Sequence, residues 1–131
     1  MENKVLKSLA DEFSNIHLKS FNQQNLRFSS RFIFSLLINP QISYIYKKNK
    51  GFCIFSINKE DAEIITMAVV PKYQNHGIGF LILNELEELL MKSNCKKIFL
   101  EVARIIRNPV MRELIETICA NYLNITRRCA N

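Results

Sequence analysis

The chain has no apolar run approaching the roughly eighteen residues that a membrane-spanning helix needs. Its first residues, Met1-Glu-Asn-Lys, lead into a charged amphipathic stretch without the basic start and apolar centre of a secretory signal. A cytoplasmic location with no membrane partner is therefore expected. The four cysteines, Cys53, Cys95, Cys119 and Cys129, form no C-x-x-C pair and have no histidine at metal-ligand spacing. Reduced thiols without a metal role are the expectation. Basic residues form no arm: 18 Lys and Arg against 12 Asp and Glu give a net charge of +6, scattered as Lys47-Lys48-x-Lys50, Lys96-Lys97 and Arg127-Arg128. That excess favours polyanionic surroundings but does not make a direct reader of nucleic acid.

What is present is enough for a folded core. With 48% hydrophobic and 23% charged residues over 131 positions, the chain fits one domain, 1–131, and is too short for two. Val5, Leu6, Leu9, Ala10, Phe13 and Ile16 recur at spacings of three and four, which predicts a helix from Lys4 to about His17. Residues 20–28 break that period and read as a loop. Ser29 or Ser30 then suits the cap of a second helix, Arg31 to Ile38, stopped ahead of Pro40. Ile42–Tyr46 and Gly51–Ile57 are β-rich and flank a polar turn, so they should form a hairpin. A second turn, Asn58–Asp61, feeds a third strand, 62–70, completing an antiparallel meander.

The stretch that follows is the most informative. The strand runs through Pro71-Lys-Tyr73 into Gln74-Asn-His-Gly-Ile-Gly79 and then into a helix from about Gly77 to Ser93. Ile78, Leu81, Ile82, Leu86, Leu89 and Leu90 are assigned to its apolar face. A helix N-terminus presents unpaired N–H groups and the positive end of the helix dipole, so such a turn is an anion site. Glycines at 77 and 79 let a phosphate approach the backbone. Lys97–Val102 reads as a further strand, parallel to the third because a helix separates them. Alternation puts Ile98 and Leu100 on one face and Phe99 and Glu101 on the other. A carboxylate in such a strand would be raised in pKa by desolvation, which suits a base near neutral pH; an edge carboxylate reaching water is the plainer reading.

Gln74-x-x-Gly77-x-Gly79, between an apolar strand and a leucine-rich helix, resembles the acetyl-CoA pyrophosphate loop of the GNAT acetyltransferases. Ala62–Val69, Pro71-x-Tyr73 and Ile98-Phe-Leu-Glu-Val102 are similar to the RimI-type branch, the ribosomal-protein alanine N-acetyltransferases. The resemblance spans about 51–102. It implies an α/β (α+β) fold with a mixed central sheet, splayed parallel strands and flanking helices. It also implies acetyl-CoA as cofactor, held by Met67, Ala68 and Val69 through main-chain groups along the pantetheine arm, and by Gln74, Asn75, His76, Gly77, Ile78, Gly79 and Phe80 at the diphosphate. The Val69 N–H is implied as an oxyanion donor and Glu101 as general base. The implied acceptor is a protein N-terminal amine, that of a ribosomal-protein alanine. In the family the corresponding helix pair and its loop border the acceptor, which makes Phe21, Leu26, Phe28 and Phe32 candidates for contacting it, although core packing is the favoured reading for each.

Beyond Val102 the pattern departs from the family. With two extra residues, Asn108 aligns with a cofactor-holding asparagine, but Met111 replaces an alanine and Ile115 replaces the tyrosine that protonates the CoA thiolate. Residues 109–121 read as a helix, with Pro109 in its first turn. The closing strand that relatives carry after this helix is expected to be missing. An N-acetyltransferase is therefore the leading reading, and a catalytically impaired GNAT-derived CoA-binding or interaction protein is the alternative.

Overall fold

A computed structural model describes residues 2–20, 28–74, 76–95, 97–103 and 126–130. For 97–103 and 126–130 the description covers the main chain. In chain order the elements are α1 (Glu2–Ser20), α2 (Ser30–Leu37), β1 (Ile42–Lys47), β2 (Gly51–Asn58), β3 (Asp61–Val69), a single 3₁₀ turn (Pro71–Tyr73), α3 (Ile78–Lys92), β4 (Lys97–Ala103) and β5 (Thr126–Ala130). The expected helix at 109–121 lies outside the described residues, as do Phe21 and Leu26.

Local chemistry accounts for most of these boundaries. Ser29 is extended and its Oγ accepts from the Phe32 N–H at 3.1 Å, an N-cap that satisfies one of the orphan donors of α2. Asn49 takes the left-handed conformation, φ 63°, which asparagine tolerates, and the Lys50 N–H closes the β1–β2 turn on Lys47 O at 2.8 Å. The second hairpin pairs Asn58 with Asp61 around a two-residue turn.

The sheet runs β1-β2-β3-β4-β5, antiparallel across the first three strands and parallel from β3 to β5. Layers on both faces explain why β2 is buried without interruption from Gly51 to Phe55. Phe52 and Ile54 point to the side of α1 and α2, where they join Ala10, Phe13, Ile16, Ile33 and Leu37. Phe13 stacks on Phe52 with ring centroids 4.5 Å apart and meets the edge of Tyr46 at 4.9 Å. Cys53 and Phe55 point the other way, against Ile82, Leu83, Leu86 and Leu90 of α3.

Three expectations change. On α3, Leu81 and Leu89 are exposed, while Leu83, left off the apolar face, is buried. At the start of α1, Val5 is exposed, and the packed stripe begins at Leu6. The chain also has a strand where none was expected: β5 lies parallel on β4, with Phe99 opposite Thr126 and Ala103 opposite Ala130. Its two consecutive arginines hide the alternation that marks strands, but the outer edge of β4 offers main-chain groups that a neighbouring strand satisfies.

Candidate active site

β3 and β4 keep register only from Asp61↔Lys97 to Ile64↔Leu100. Past that point β3 runs on to Val69, and β4 runs on to Ala103 paired with β5. The two strands therefore part in mid-sheet. The cause lies in β3 itself: Ile54 faces Thr66 and Phe55 faces Ile64, so Ile65 is an extra residue without a partner on β2. Such a bulge bends its strand and increases its twist, which carries the second half of β3 away from β4.

The bulge also sets which groups face the divergence. The Val70 N–H donates to Lys50 O at 2.8 Å, so Val70 directs its main chain toward β2. Strand alternation then points the main-chain groups of Ala68 to β2, where it opposes Phe52, and those of Met67 and Val69 toward the β4 side. Consistently, Val69 O on that side accepts from Gln74 Nε2 at 2.9 Å. The side chains of Met67 and Val69 pack toward α3, while Ala68 is buried against α1 and α2.

The same strand end delivers the glycine-bearing turn. Tyr73 N–H bonds Val70 O at 2.8 Å and Gln74 N–H bonds Pro71 O at 3.2 Å, making the 3₁₀ turn a rigid spacer. Gly77 caps α3 from the left-handed region, φ 81°, and has no side chain with which to cap the first turn. The first bond of the helical ladder is Leu81 N–H to Gly77 O, 3.0 Å, which leaves Ile78, Gly79 and Phe80 as the N–H groups ahead of it. The first turn carries no acidic residue. Gly79 is buried, Ile78 half-buried, and His76 and Phe80 exposed. Asn75 lies outside the described residues.

Around this turn the lysines of the hairpin and spacer gather on one aromatic ring. Lys50 Nζ lies 5.5 Å and Lys72 Nζ 5.6 Å from the centroid of Tyr73, whose ring packs against the α3 side of the core. Sequence reading did not single out this group, because Lys50 and Lys72 lie far apart along the chain.

On β4, Glu101 stands at the register position opposite Arg128 of β5, in the segment beyond the last β3–β4 pair. Its side chain, Asn108 and Ile115 lie outside the described residues. At the far side of the sheet, Ser14 Oγ donates to Phe28 O at 2.9 Å, and the Phe28 N–H donates to His17 Nδ1 at 3.3 Å. The His17 and Phe28 rings stack 4.6 Å apart, and Phe32 meets Phe28 edge-on at 5.0 Å. This polar clasp at the exit of α1 was missed, though Ser14 and His17 at i, i+3 on a buried stripe are its signal. Among the described residues no three His, Cys, Asp or Glu side chains are grouped to hold a metal. Cys53 and Cys95 are free thiols. Burial pushes Cys53 up to about 12, and burial together with the nearby Asp61 carboxylate raises Cys95.

A parallel pair that diverges beside a helix start capped by a glycine, which offers no side-chain acceptor, defines an acyl-CoA-binding acetyltransferase fold. The sequence matches the acetyltransferase (GNAT) family over residues 4–116, and the chain belongs to that family. No curated protein matches it. Among solved structures, it is similar to the ribosomal-protein-S18-alanine N-acetyltransferase of Escherichia coli, with a TM-score of 0.70, 20% identity, and coverage of 85% of this chain and 70% of the other. The ribosomal-protein-alanine N-acetyltransferase of Brucella melitensis biovar Abortus 2308 gives 0.66 and 21%, over 86% and 84%. PaiA N-acetyltransferase of Thermoplasma acidophilum, solved with coenzyme A, gives 0.66 and 17%, over 88% and 82%. An aminoglycoside acetyltransferase from an uncultured soil sample, solved with sisomicin, gives 0.68 and 13%, over 88% and 82%. The chain is thus an acetyl-CoA-dependent acetyltransferase acting on an amine acceptor. No helix among the described residues is long and apolar enough to cross a membrane.

Proposed function

We propose that the chain acetylates the N-terminal amine of a protein, that of a ribosomal-protein alanine, with Glu101 as general base. The observation that carries the cofactor half of this reading is the parting of β3 from β4 after Ile64↔Leu100, upstream of the glycine-capped start of α3. Met67 and Val69 would hold the two amides of the pantetheine arm by main-chain pairing, as a strand edge receives another strand. Gln74 keeps the turn folded against Val69 O. The N–H groups of 75–80 would receive the diphosphate. Acetyl-CoA supplies, when bound, a thioester activated toward amines.

The chain's own task is then to position the amine, deprotonate its ammonium form and stabilise developing negative charge. Glu101, on β4 where that strand leaves β3, is suited to the second task, and the Val69 main chain to the third. The likeness of Ile98-Phe-Leu-Glu-Val102 to the RimI-type branch supports the acceptor, as do two structural neighbours that act on ribosomal-protein alanine. A second reading, an impaired CoA-binding protein, is favoured by Ile115, which cannot donate a proton where the family has tyrosine.

Incubating the protein with acetyl-CoA and a peptide bearing a ribosomal-protein N-terminal alanine tests the acceptor by mass spectrometry. The expected product is a peptide acetylated at its N-terminus, formed faster by Ile115→Tyr. Binding of CoA with no peptide product from either chain selects the second reading.

A further inference from the structure

We propose that Lys50 and Lys72, held on the ring of Tyr73, receive the 3′-phosphate of coenzyme A and make the chain select CoA over dephospho-CoA. This rests on reading the 74–80 turn as the diphosphate site. That turn, Gln74-Asn-His-Gly-Ile-Gly-Phe80, contains neither lysine nor arginine. Its contribution to a diphosphate is main-chain N–H groups and a helix dipole, which leaves the third anionic group of CoA, a phosphate monoester, without a cationic partner there.

The cations stand immediately beside it. Lys72 belongs to the spacer that leads into the turn, and the Lys50 carbonyl accepts the Val70 N–H at 2.8 Å, which pins the β1–β2 hairpin to the end of β3. Both ammonium groups lie on the same half-buried ring, at 5.5 and 5.6 Å. Both are cationic, and among the described residues neither has an acidic partner. The neighbouring Lys47 does, bonding Glu85 Oε2 at 2.6 Å. A phosphate monoester carries close to two negative charges at neutral pH and three strong acceptors. It would balance both charges and form charge-assisted bonds to the two ammonium groups. The ring, anchored in the α3 side of the core, fixes where they wait.

Calorimetric titration of the full chain with CoA and with dephospho-CoA, at fixed low salt, tests the proposal. The wild type should bind CoA about tenfold or more tighter than dephospho-CoA, in line with charge-assisted contacts to one phosphate. Lys50→Gln with Lys72→Gln should bring CoA down to near the dephospho-CoA level while lowering dephospho-CoA affinity far less, with circular dichroism confirming the fold. Tyr73→Leu should lower the preference in the same direction. Equal wild-type affinity for the two ligands, or an equal loss for both in the double variant, overturns the proposal while leaving the diphosphate site intact. Binding of neither ligand overturns the cofactor reading and this proposal together.

Discussion

Gln74 reaches back across its own turn and donates from Nε2 to the carbonyl of Val69, 2.9 Å away. One side chain thereby couples the last strand carbonyl before the spacer to the start of the glycine-bearing turn. Four residues of spacer and turn are braced by it, and the glycine that follows is free to adopt the conformation that opens the helix.

Gly77 is a glycine for its conformation and not for space. A Cβ built there meets nothing within 4 Å, but φ is 81°. Gly77→Ala should therefore cost about 1–2 kcal/mol through the left-handed backbone alone, and weaken acetyl-CoA binding as the helix start shifts. Gly77→Asn should lose less on both counts, since asparagine visits this region more readily. Thermal melts and calorimetry of the two variants check the order; equal losses would mean that the turn does not depend on this φ.

Gly51 fails for the opposite reason. An added Cβ would stand 2.8 Å from Ala68 O and 3.2 Å from both Ile82 Cδ1 and Val69 Cγ2. Gly51→Ala should destabilise the protein by about 1–3 kcal/mol, because a backbone oxygen cannot yield as a side chain can. Denaturant unfolding measures it. Since the displaced strand is the one beside the cleft, CoA affinity should fall with stability.

Removing the proposed base isolates the chemical step. Glu101→Gln preserves shape, so it should lower the rate on the order of a hundred to ten thousand fold with little change in CoA affinity. Part of the loss should return at high pH, where more of the amine is already deprotonated. A wild-type rate and pH profile would assign the carboxylate a structural part.

Cys53 makes stability fall in alkali. The folded thiol holds its proton up to about 12, whereas the ordinary value is 9.0. Its contribution is fully present below pH 9. Above that, the unfolded chain releases a proton that the folded chain keeps, and stability declines as pH rises toward 12. One such group accounts for at most about 1.4 kcal/mol per pH unit. Comparing urea midpoints of the wild type and Cys53→Ala between pH 8 and 11 should show the extra slope in the wild type alone. The same thiol should resist alkylation while the protein is folded.

The hairpins and the Gln74–Gly79 turn were legible because turn chemistry and strand alternation coincide there. The α3 face was less so: Ile78, Phe80, Leu81, Ile82, Leu83, Leu86, Leu89, Leu90 and Met91 encircle the helix, so periodicity could not choose between Leu81 and Leu83. The resemblance to the family led to expect splayed strands, but nothing in Glu63-Ile-Ile-Thr66 marks the site of the bulge, since each residue suits either side of a sheet. β5 was hidden by Arg127-Arg128, and the lysine pair on Tyr73 exists only once the hairpin folds over the spacer.

The bulge at Ile65 changes the parity of its strand. Up to that point the even-numbered residues, Ala62 and Ile64, belong to the α3 side; beyond it the odd-numbered Met67 and Val69 do, and Ala68 and Val70 belong to the other. Had the chain one residue fewer there, every later side chain would exchange layers, and the main-chain groups at 67 and 69 would turn from the cleft to β2. The count of residues between two turns thus decides which main-chain groups of β3 face its parting from β4, and a one-codon deletion at 65 would reverse them without substituting any other residue.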